Sequence, residues 1–364
     1  MKITDVKAYV LKTRTCLVRV FTDEGIDGVG EASPIVNVDV MAFYIERALK
    51  PLILGKDPRD TDRLWDDMYF GTYKLGVMGA GPNAISGVDI ALWDIKAKTA
   101  GMPLHQLLGG AARRTFKMYK SIGGGSSDTP EQMLRKVQDA YEEGFRAVKI
   151  RMDWGYRQDI DVDKDYRMFK LCREWLPDDV PLSFDANNGY AVSTAIQQGR
   201  RLEDLGIYHF EEPVLPYNYR GIREVAEALD VPVSAGEHEY TRWQIRDLIE
   251  VARPDLLQPD VVKCCGITEM MRICALAETH DISVVPHQTQ PSVGNAASLA
   301  VCSTLRHADR PHEYTGPRPD LEELFEDPIR FDGDSGTITL PDRPGLGLVV
   351  NEEAVEKATV AVYG

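Results

Sequence analysis

The sequence predicts an α/β fold: a (β/α)8-type barrel with an α+β capping domain built from the N-terminal region and the C-terminal tail. Three observations lead there. From about residue 116 to residue 322 a strand–loop–helix rhythm repeats, which is the signature of parallel βα units. Eight strand candidates lie in that stretch, at 116–121, 147–152, 181–185, 208–211, 231–235, 256–258, 282–285 and 312–314. A barrel of this kind takes ~250 residues, so roughly a third of the 364-residue chain is left for something else.

The elements follow in order. Antiparallel strands are expected at 2–12 and 16–22, then a turn through Glu24-Gly25 and a third strand at 27–31. In the best of the following helices, Ile85, Val88, Leu92 and Ile95 mark one apolar face, ended by Gly101 and Pro103. The clearest βα unit opens at Thr129-Pro130-Glu131-Gln132, where Thr129 and Gln132 form a capping box and Pro130 suits the first helical position. Met133, Leu134, Val137, Ala140 and Tyr141 share a face, Gly144 supplies the stop, and an apolar strand follows at once. In the tail, a turn-rich strand pair at 337–340 and 346–350 is expected to return to the cap. The division reads 1–115 for the capping domain, 116–322 for the barrel and 323–364 for the returning segment.

Composition narrows the function. Forty-two Lys and Arg stand against 57 Asp and Glu, a net charge of −15. That balance argues against nucleic acid as a partner, because phosphate neutralisation needs clustered cations. It still permits a small anionic substrate in a locally cationic pocket. No run approaches the ~18 apolar residues of a membrane helix, and MKITDVKAYV has no secretory apolar core. Cys16, Cys172, Cys264, Cys265, Cys274 and Cys302 show neither CxxC nor zinc-finger spacing, and read as reduced thiols. A cytoplasmic enzyme without a membrane partner is the expectation, with a symmetric homo-oligomer as the default assembly.

The chemistry sits at strand ends. Asp185, Glu211 and Glu237 close or follow three successive strands, each 26 residues after the last. A barrel gathers such positions at its mouth, and three carboxylates there need a cation. An all-oxygen set suits a hard ion, Mg²⁺ above all; the plainer reading makes each carboxylate a helix cap or surface charge. Asp260 and His287 end the next two strands, 27 residues apart, so a carboxylate can sit beside an imidazole and fix its tautomer. Glu313, 26 residues further, is either a protonated hydrogen-bond donor or a cap. Lys149 and Arg151 share one side of the second strand by period-2 alternation. They face either an anionic substrate or the carboxylates as a salt-bridge layer. Gly123-Gly124-Gly125-Ser126-Ser127 lacks the Lys-Ser/Thr ending of a phosphate loop. Glu237-His238-Glu239 lacks HExxH spacing, so His238 and Glu239 are loop or substrate-contact candidates.

Taken together the chain resembles the enolase superfamily, specifically its mandelate racemase subgroup. The resemblance rests on Ala91-Leu92-Trp93-Asp94, Lys149-x-Arg151, Asp185-Ala186-Asn187, Phe210-Glu211-Glu212-Pro213, Gly236-Glu237, Gln258-Pro259-Asp260 and Pro286-His287, and it spans nearly the whole chain. It implies Asp185, Glu211 and Glu237 as Mg²⁺ ligands, flanked by the Asp260–His287 dyad and the Lys149 strand, with Asn187 and His238 as substrate contacts. Muconate cycloisomerase-like relatives carry a lysine where this chain has Asp260, which favours the His–Asp arrangement. The family pattern also implies cap loops that select substrate, for which residues 32–38 and 71–79 are the candidates. One departure stands out: Arg151 replaces the second lysine of Lys-x-Lys, and a guanidinium is a poor proton acceptor. The resemblance with this departure implies an acid-sugar dehydratase. The alternatives are a racemase, epimerase or cycloisomerase on the same scaffold, or a catalytically silent binding module.

Overall fold

The computed structural model describes residues 1–32, 37–154, 158–306 and 309–364. Of the candidate cap loop at 32–38, residues 33–36 lie outside the described residues. The chain opens with three antiparallel strands, β1 (Ile3–Leu11), β2 (Cys16–Thr22) and β3 (Asp27–Glu31). Val6, Ala8 and Val10 alternate inward along β1, the period of a half-buried strand. Helices α1 (Val38–Tyr44), α2 (Lys50–Ile53), α3 (Thr61–Thr72), α4 (Ala80–Thr99) and α5 (Leu104–Leu107) follow.

All eight expected barrel strands are present. In order they are β4 (Thr115–Ile122), β5 (Val148–Arg151), β6 (Leu182–Asp185), β7 (Phe210–Glu211), β8 (Val233–Ala235), β9 (Leu256–Leu257), β10 (Ser283–Val284) and β11 (His312–Tyr314). The helices between them are α6 (Pro130–Glu142), α7 (Val162–Trp175), α8 (Val192–Glu203), α9 (Tyr219–Ala228), α10 (Arg242–Asp247), α11 (Gly266–Glu278) and α12 (Val293–Cys302). The strands run parallel from β4 to β10, and β11 returns to pair with β4. Across the remaining β10–β11 seam a side chain does the bridging: the Gln288 N–H donates to Glu313 Oε2 at 2.8 Å. The Thr129 capping box forms as expected, with the Gln132 N–H on Thr129 Oγ1 and the Thr129 N–H on Gln132 Oε1.

The tail departs from expectation. After α13 (Pro319–Glu322), the short strands β12 (Phe331–Asp332) and β13 (Thr337–Thr339) pair with each other, and β13 lies antiparallel on β4 at the foot of the barrel, away from the cap sheet. Residues 346–350 form no strand pair; Val350 makes a single bridge to Phe325. The physical reason is that the backbone here is already bonded elsewhere. The Leu346 N–H donates to Asp94 Oδ1, the Gly345 N–H to the Met102 carbonyl, and Gly347 has φ +76°. What does return to the cap is α14 (Glu352–Ala358) and β14 (Thr359–Tyr363), which pairs antiparallel with β1.

Helix α4 joins the two halves, and it is buried around nearly its whole circumference rather than on one face. On one side it lies directly on β3. A Cβ at Gly28 would meet the Ala91 carbonyl oxygen at 2.0 Å, and one at Gly30 the Gly87 oxygen at 1.9 Å, so only glycine allows the approach. On the other side it meets α11. Trp93 Nε1–H donates to Thr268 Oγ1 at 2.7 Å, and the Thr268 hydroxyl and N–H donate to the two oxygens of Asp89 at 2.6 and 2.9 Å. Burial pushes the Asp89 carboxyl up to about 7, against the pull of these bonds. Asp94 accepts from the Val29 N–H and from Leu346, and pairs with Lys98 at 2.7 Å.

Thr268→Val keeps the volume at this joint but strands the Trp93 N–H and one Asp89 oxygen in the interior. The expected cost is about 2–4 kcal/mol, read as a lower urea midpoint with an unchanged m-value. A midpoint equal to that of the parent would show that the joint carries no stability.

Candidate active site

The parallel register sets the site. Arg151, Asp185 and Glu211 are laterally paired across β5, β6 and β7, and Glu211 in turn pairs with Ser234 on β8. Beyond β8 the chain passes through Gly236, at φ +139°, to reach Glu237; a Cβ there would fall 2.8 Å from the Gln258 nitrogen. Glu237 therefore arrives through a turn that needs glycine, and it is buried like the other two carboxylates.

Lys149 is fully buried, at 0% exposure. Its ammonium pairs with Glu211 Oε1, with Glu313 Oε1 at 3.0 Å and with Asp185 Oδ2 at 3.9 Å. The second Glu211 oxygen accepts from Gln258 Nε2–H at 2.6 Å and lies 3.3 Å from His209 Nε2. On the other side of the mouth, His287 Nδ1 bonds Asp260 Oδ2 at 2.7 Å while its Nε2 lies 3.2 Å from Glu237 Oε2. Asp260 is itself oriented, since its other oxygen accepts the Val262 N–H at 2.8 Å. With Nδ1 as the donor to Asp260, Nε2 is the nitrogen left to exchange a proton at the mouth.

The charges compensate unevenly. Burial raises the Asp185 carboxyl well above its ordinary range, and the neighbouring Glu211 charge adds to this. Glu211 is lowered despite its burial, because Lys149 sits against it. Glu237 is held well below the carboxylate range: burial opposes this, but His287, Lys263 and His238 outweigh it. Burial lowers His287, yet the Glu237 charge prevails and the imidazole is raised. For Lys149 the surrounding carboxylates overcome burial and keep the ammonium charged.

The remaining expected residues fall into place differently. Arg151 faces the mouth with its side chain partly open to solvent, and Asp153, 3.9 Å away, is its ion-pair partner. Lys149, by contrast, is enclosed by carboxylates, so the two cations do different work. Asn187 donates its N–H and its Nδ2–H to Asp185 and accepts the Asp153 N–H. Its polar groups thus orient the Asp185 carboxylate. Glu313 Oε2 accepts the Gln288 N–H at 2.8 Å and its Oε1 lies 3.0 Å from the Lys149 ammonium, which pulls the carboxyl below its ordinary range against burial. His238 bridges Glu212 Oε1 at 3.2 Å and Glu237 Oε1 at 3.7 Å.

Two members escaped the sequence reading. Lys263 Nζ pairs with Glu237 Oε1 at 3.1 Å, and Gln258 holds Glu211. Both flank Asp260, within two and three residues of it, which was the available signal. All six cysteines are buried.

Oxygen donors dominate the mouth: the carboxylates of Asp185 and Glu211 are side by side on paired strands, and Glu237 is buried on the next strand end. That donor chemistry fits a hard divalent cation held by Asp185, Glu211 and Glu237. Among the described residues, the metal-capable group whose ligand atoms all lie within 4.8 Å of one another is Glu212, Glu237 and His238, so Glu237 is common to both sets.

Carboxylates, an enclosed lysine and an oriented imidazole at the carboxyl ends of barrel strands define an acid–base site of the barrel-enzyme class. Residues 6–109 match the mandelate racemase / muconate lactonizing enzyme N-terminal domain, and residues 132–354 match the enolase C-terminal domain-like family. The chain belongs to the mandelate racemase / muconate lactonizing enzyme family of the enolase superfamily. An arabinonate dehydratase from Saccharolobus solfataricus is 34% identical, over 92% of this chain and 88% of its own. A D-galactarolactone cycloisomerase from Agrobacterium fabrum is 30% identical over 98% of each chain. The crystal structure of a mandelate racemase/muconate lactonizing protein from Paracoccus denitrificans PD1222, complexed with magnesium, has a TM-score of 0.92 at 39% identity and covers 98% of both chains.

Removing the enclosed cation while keeping its volume isolates its role. In EDTA-treated protein, Lys149→Met should cost about 3–5 kcal/mol, because it leaves buried carboxylates without their partner. Thermal unfolding measures this. Equal stability of the two proteins would mean that water already solvates those carboxylates.

Proposed function

We propose that this protein is a Mg²⁺-dependent acid-sugar dehydratase acting on an aldonate or aldarate. The observation that carries the reading is the asymmetry of the mouth. His287 is an oriented imidazole with Nε2 turned to the site, whereas the opposite strand offers a guanidinium and an ammonium locked among carboxylates. Racemisation needs a proton acceptor on each face of the substrate carbon. Dehydration can run with one.

Asp185, Glu211 and Glu237 would hold the ion. When bound, it would supply Lewis-acid polarisation of the substrate carboxylate and electrostatic relief for the enediolate. The rest falls to side chains. His287 Nε2 takes the proton from the carbon next to the carboxylate, and Asp260 stabilises the imidazolium through the Nδ1–H bond. The electrons of the broken C–H bond enter the enediolate. They then expel the β-hydroxyl, which leaves as water with the proton held on Nε2. The resulting enol gains a proton at the β-carbon and gives its hydroxyl proton to water, which yields a 2-keto-3-deoxy acid. Arg151 and Lys149 serve as fixed positive charge, and His238 is the substrate contact on the far side of Glu237.

The arabinonate dehydratase relative supports this reading. The full-length likeness to a D-galactarolactone cycloisomerase favours a second one, proton abstraction with isomerisation on the same scaffold. Product mass separates them, since only dehydration removes water. The direct test is a Mg²⁺-supplemented screen of mono- and diacid sugars with semicarbazide detection of 2-keto products.

Chelation should abolish turnover, and Mg²⁺ should restore it. Asp185→Asn, Glu211→Gln and Glu237→Gln should each weaken Mg²⁺ binding by calorimetry and lose activity together with it. Full activity in EDTA would sink the metal assignment.

Exchange of the substrate α-proton with solvent deuterium reads the base directly. His287→Asn should lose both exchange and dehydration, by at least ~10²-fold as expected for a general base. Arg151→Lys, which restores the family pair, should retain part of the dehydration and add exchange on the opposite face. Exchange that persists in His287→Asn but vanishes in Arg151→Lys would move the base to β5.

A further inference from the structure

Glu31 belongs to the cap, yet its carboxylate reaches into the barrel. It is the last residue of β3, 1% exposed, and its Oε2 accepts the Gly294 N–H at 2.9 Å across 263 residues of sequence. Gly294 is the second residue of α12, whose amide donors need partners from outside the helix. The residue at the cap position, Ser292, gives none through its side chain. A carboxylate brought in from another domain satisfies the donor and complements the positive end of the helix.

What makes this more than packing is the neighbouring bond. The next amide, that of Asn295, donates to the Gln290 carbonyl at 3.0 Å, and the Gln290 N–H donates to Gln288 Oε1 at 2.9 Å. The Gln288 N–H in turn is held by Glu313. Gln288 directly follows His287. Two consecutive donors of α12 are thus taken by two different parts of the protein, one by the cap and one by the segment that carries the imidazole. The segment 287–290 is pinned at one end by Glu313 and at the other through the helix start that Glu31 clasps.

We propose that Glu31 is a positioning residue for His287. Through Gly294 it fixes the start of α12 and the segment behind it, so the placement of the imidazole depends on the cap. This rests on reading His287 as the base. The test therefore has one arm that needs no turnover. The proton shared by His287 Nδ1 and Asp260 should give a far-downfield proton NMR resonance, assigned by its absence in His287→Asn. Glu31→Gln keeps the shape and should shift or broaden that resonance, and Glu31→Ala should do so more strongly. Thr268→Val, which loosens the cap–barrel joint elsewhere, should leave it unmoved although it lowers stability. With substrate, kcat should fall roughly tenfold in Glu31→Gln and about a hundredfold in Glu31→Ala while KM stays within about threefold, the pattern of a misplaced catalytic group. A resonance unchanged in Glu31→Gln, or shifted equally in Thr268→Val, overturns the proposal. Should Glu31→Ala not fold, Glu31→Gln decides. Failure of the parent protein to turn over any acid sugar would count against the dehydratase reading, and the resonance would still decide the role of Glu31.

Discussion

One positive charge organises the mouth of this barrel: the ammonium of Lys149, enclosed by Glu211, Glu313 and Asp185. Charges of one sign cannot be gathered out of water without a counter-charge, because desolvation costs several kcal/mol per ion. Lys149 meets that need from below, on the strand next to the one that ends in Asp185. Lys263 and His287 meet it for Glu237 from the side. The strand ends can therefore carry three carboxylates and remain folded. The same arrangement explains why the residue two places along matters so much. With Lys149 committed to its neighbours, Arg151 is the cation of β5 that is left facing the open mouth.

How much of this was legible in the sequence follows from where the information lies. Strand ends recur every 26 or 27 residues, and parallel register turns that period into lateral contact, so Asp185, Glu211, Glu237, Asp260 and His287 could be read directly. The capping box at Thr129 was equally plain because both partners lie within one turn. Gln258 was quoted only as part of a motif and Lys263 was passed over, since their roles depend on how the chain turns after a two-residue strand. The tail misled for a different reason. Residues 346–350 alternate well enough for a strand, but the Leu346 amide is claimed by Asp94, and no periodicity reports a bond across 252 residues. Glu31 lay beyond reach on the same grounds. It ended an ordinary edge-of-sheet strand, and only the assembled domains show what it holds.

The Ala91-Leu92-Trp93-Asp94 stretch, part of the family resemblance, turns out to serve architecture. Asp94 gathers β3, Lys98 and the tail, while Trp93 and Asp89 meet at Thr268 of the barrel. Buried polar joints of this kind need every partner, because an unmet donor costs about as much as a well-made one gains or more. They set a distance and an angle between cap and barrel that apolar contact alone would leave loose.

The pairing of β14 with β1 has a consequence in time. Strand β1 leaves the ribosome well before its partner, which is drawn from residues 359–363. At ~5–20 residues per second, the interval is on the order of tens of seconds. During it, β1 exposes an unpaired edge with Val6, Ala8 and Val10 on one face, while the barrel strands behind it already have neighbours to fold upon. The whole barrel is made between the two strands of this pair. Completion of the cap is thus a late event of biogenesis, and the interval before it is when the nascent protein is most open to strand-mediated association.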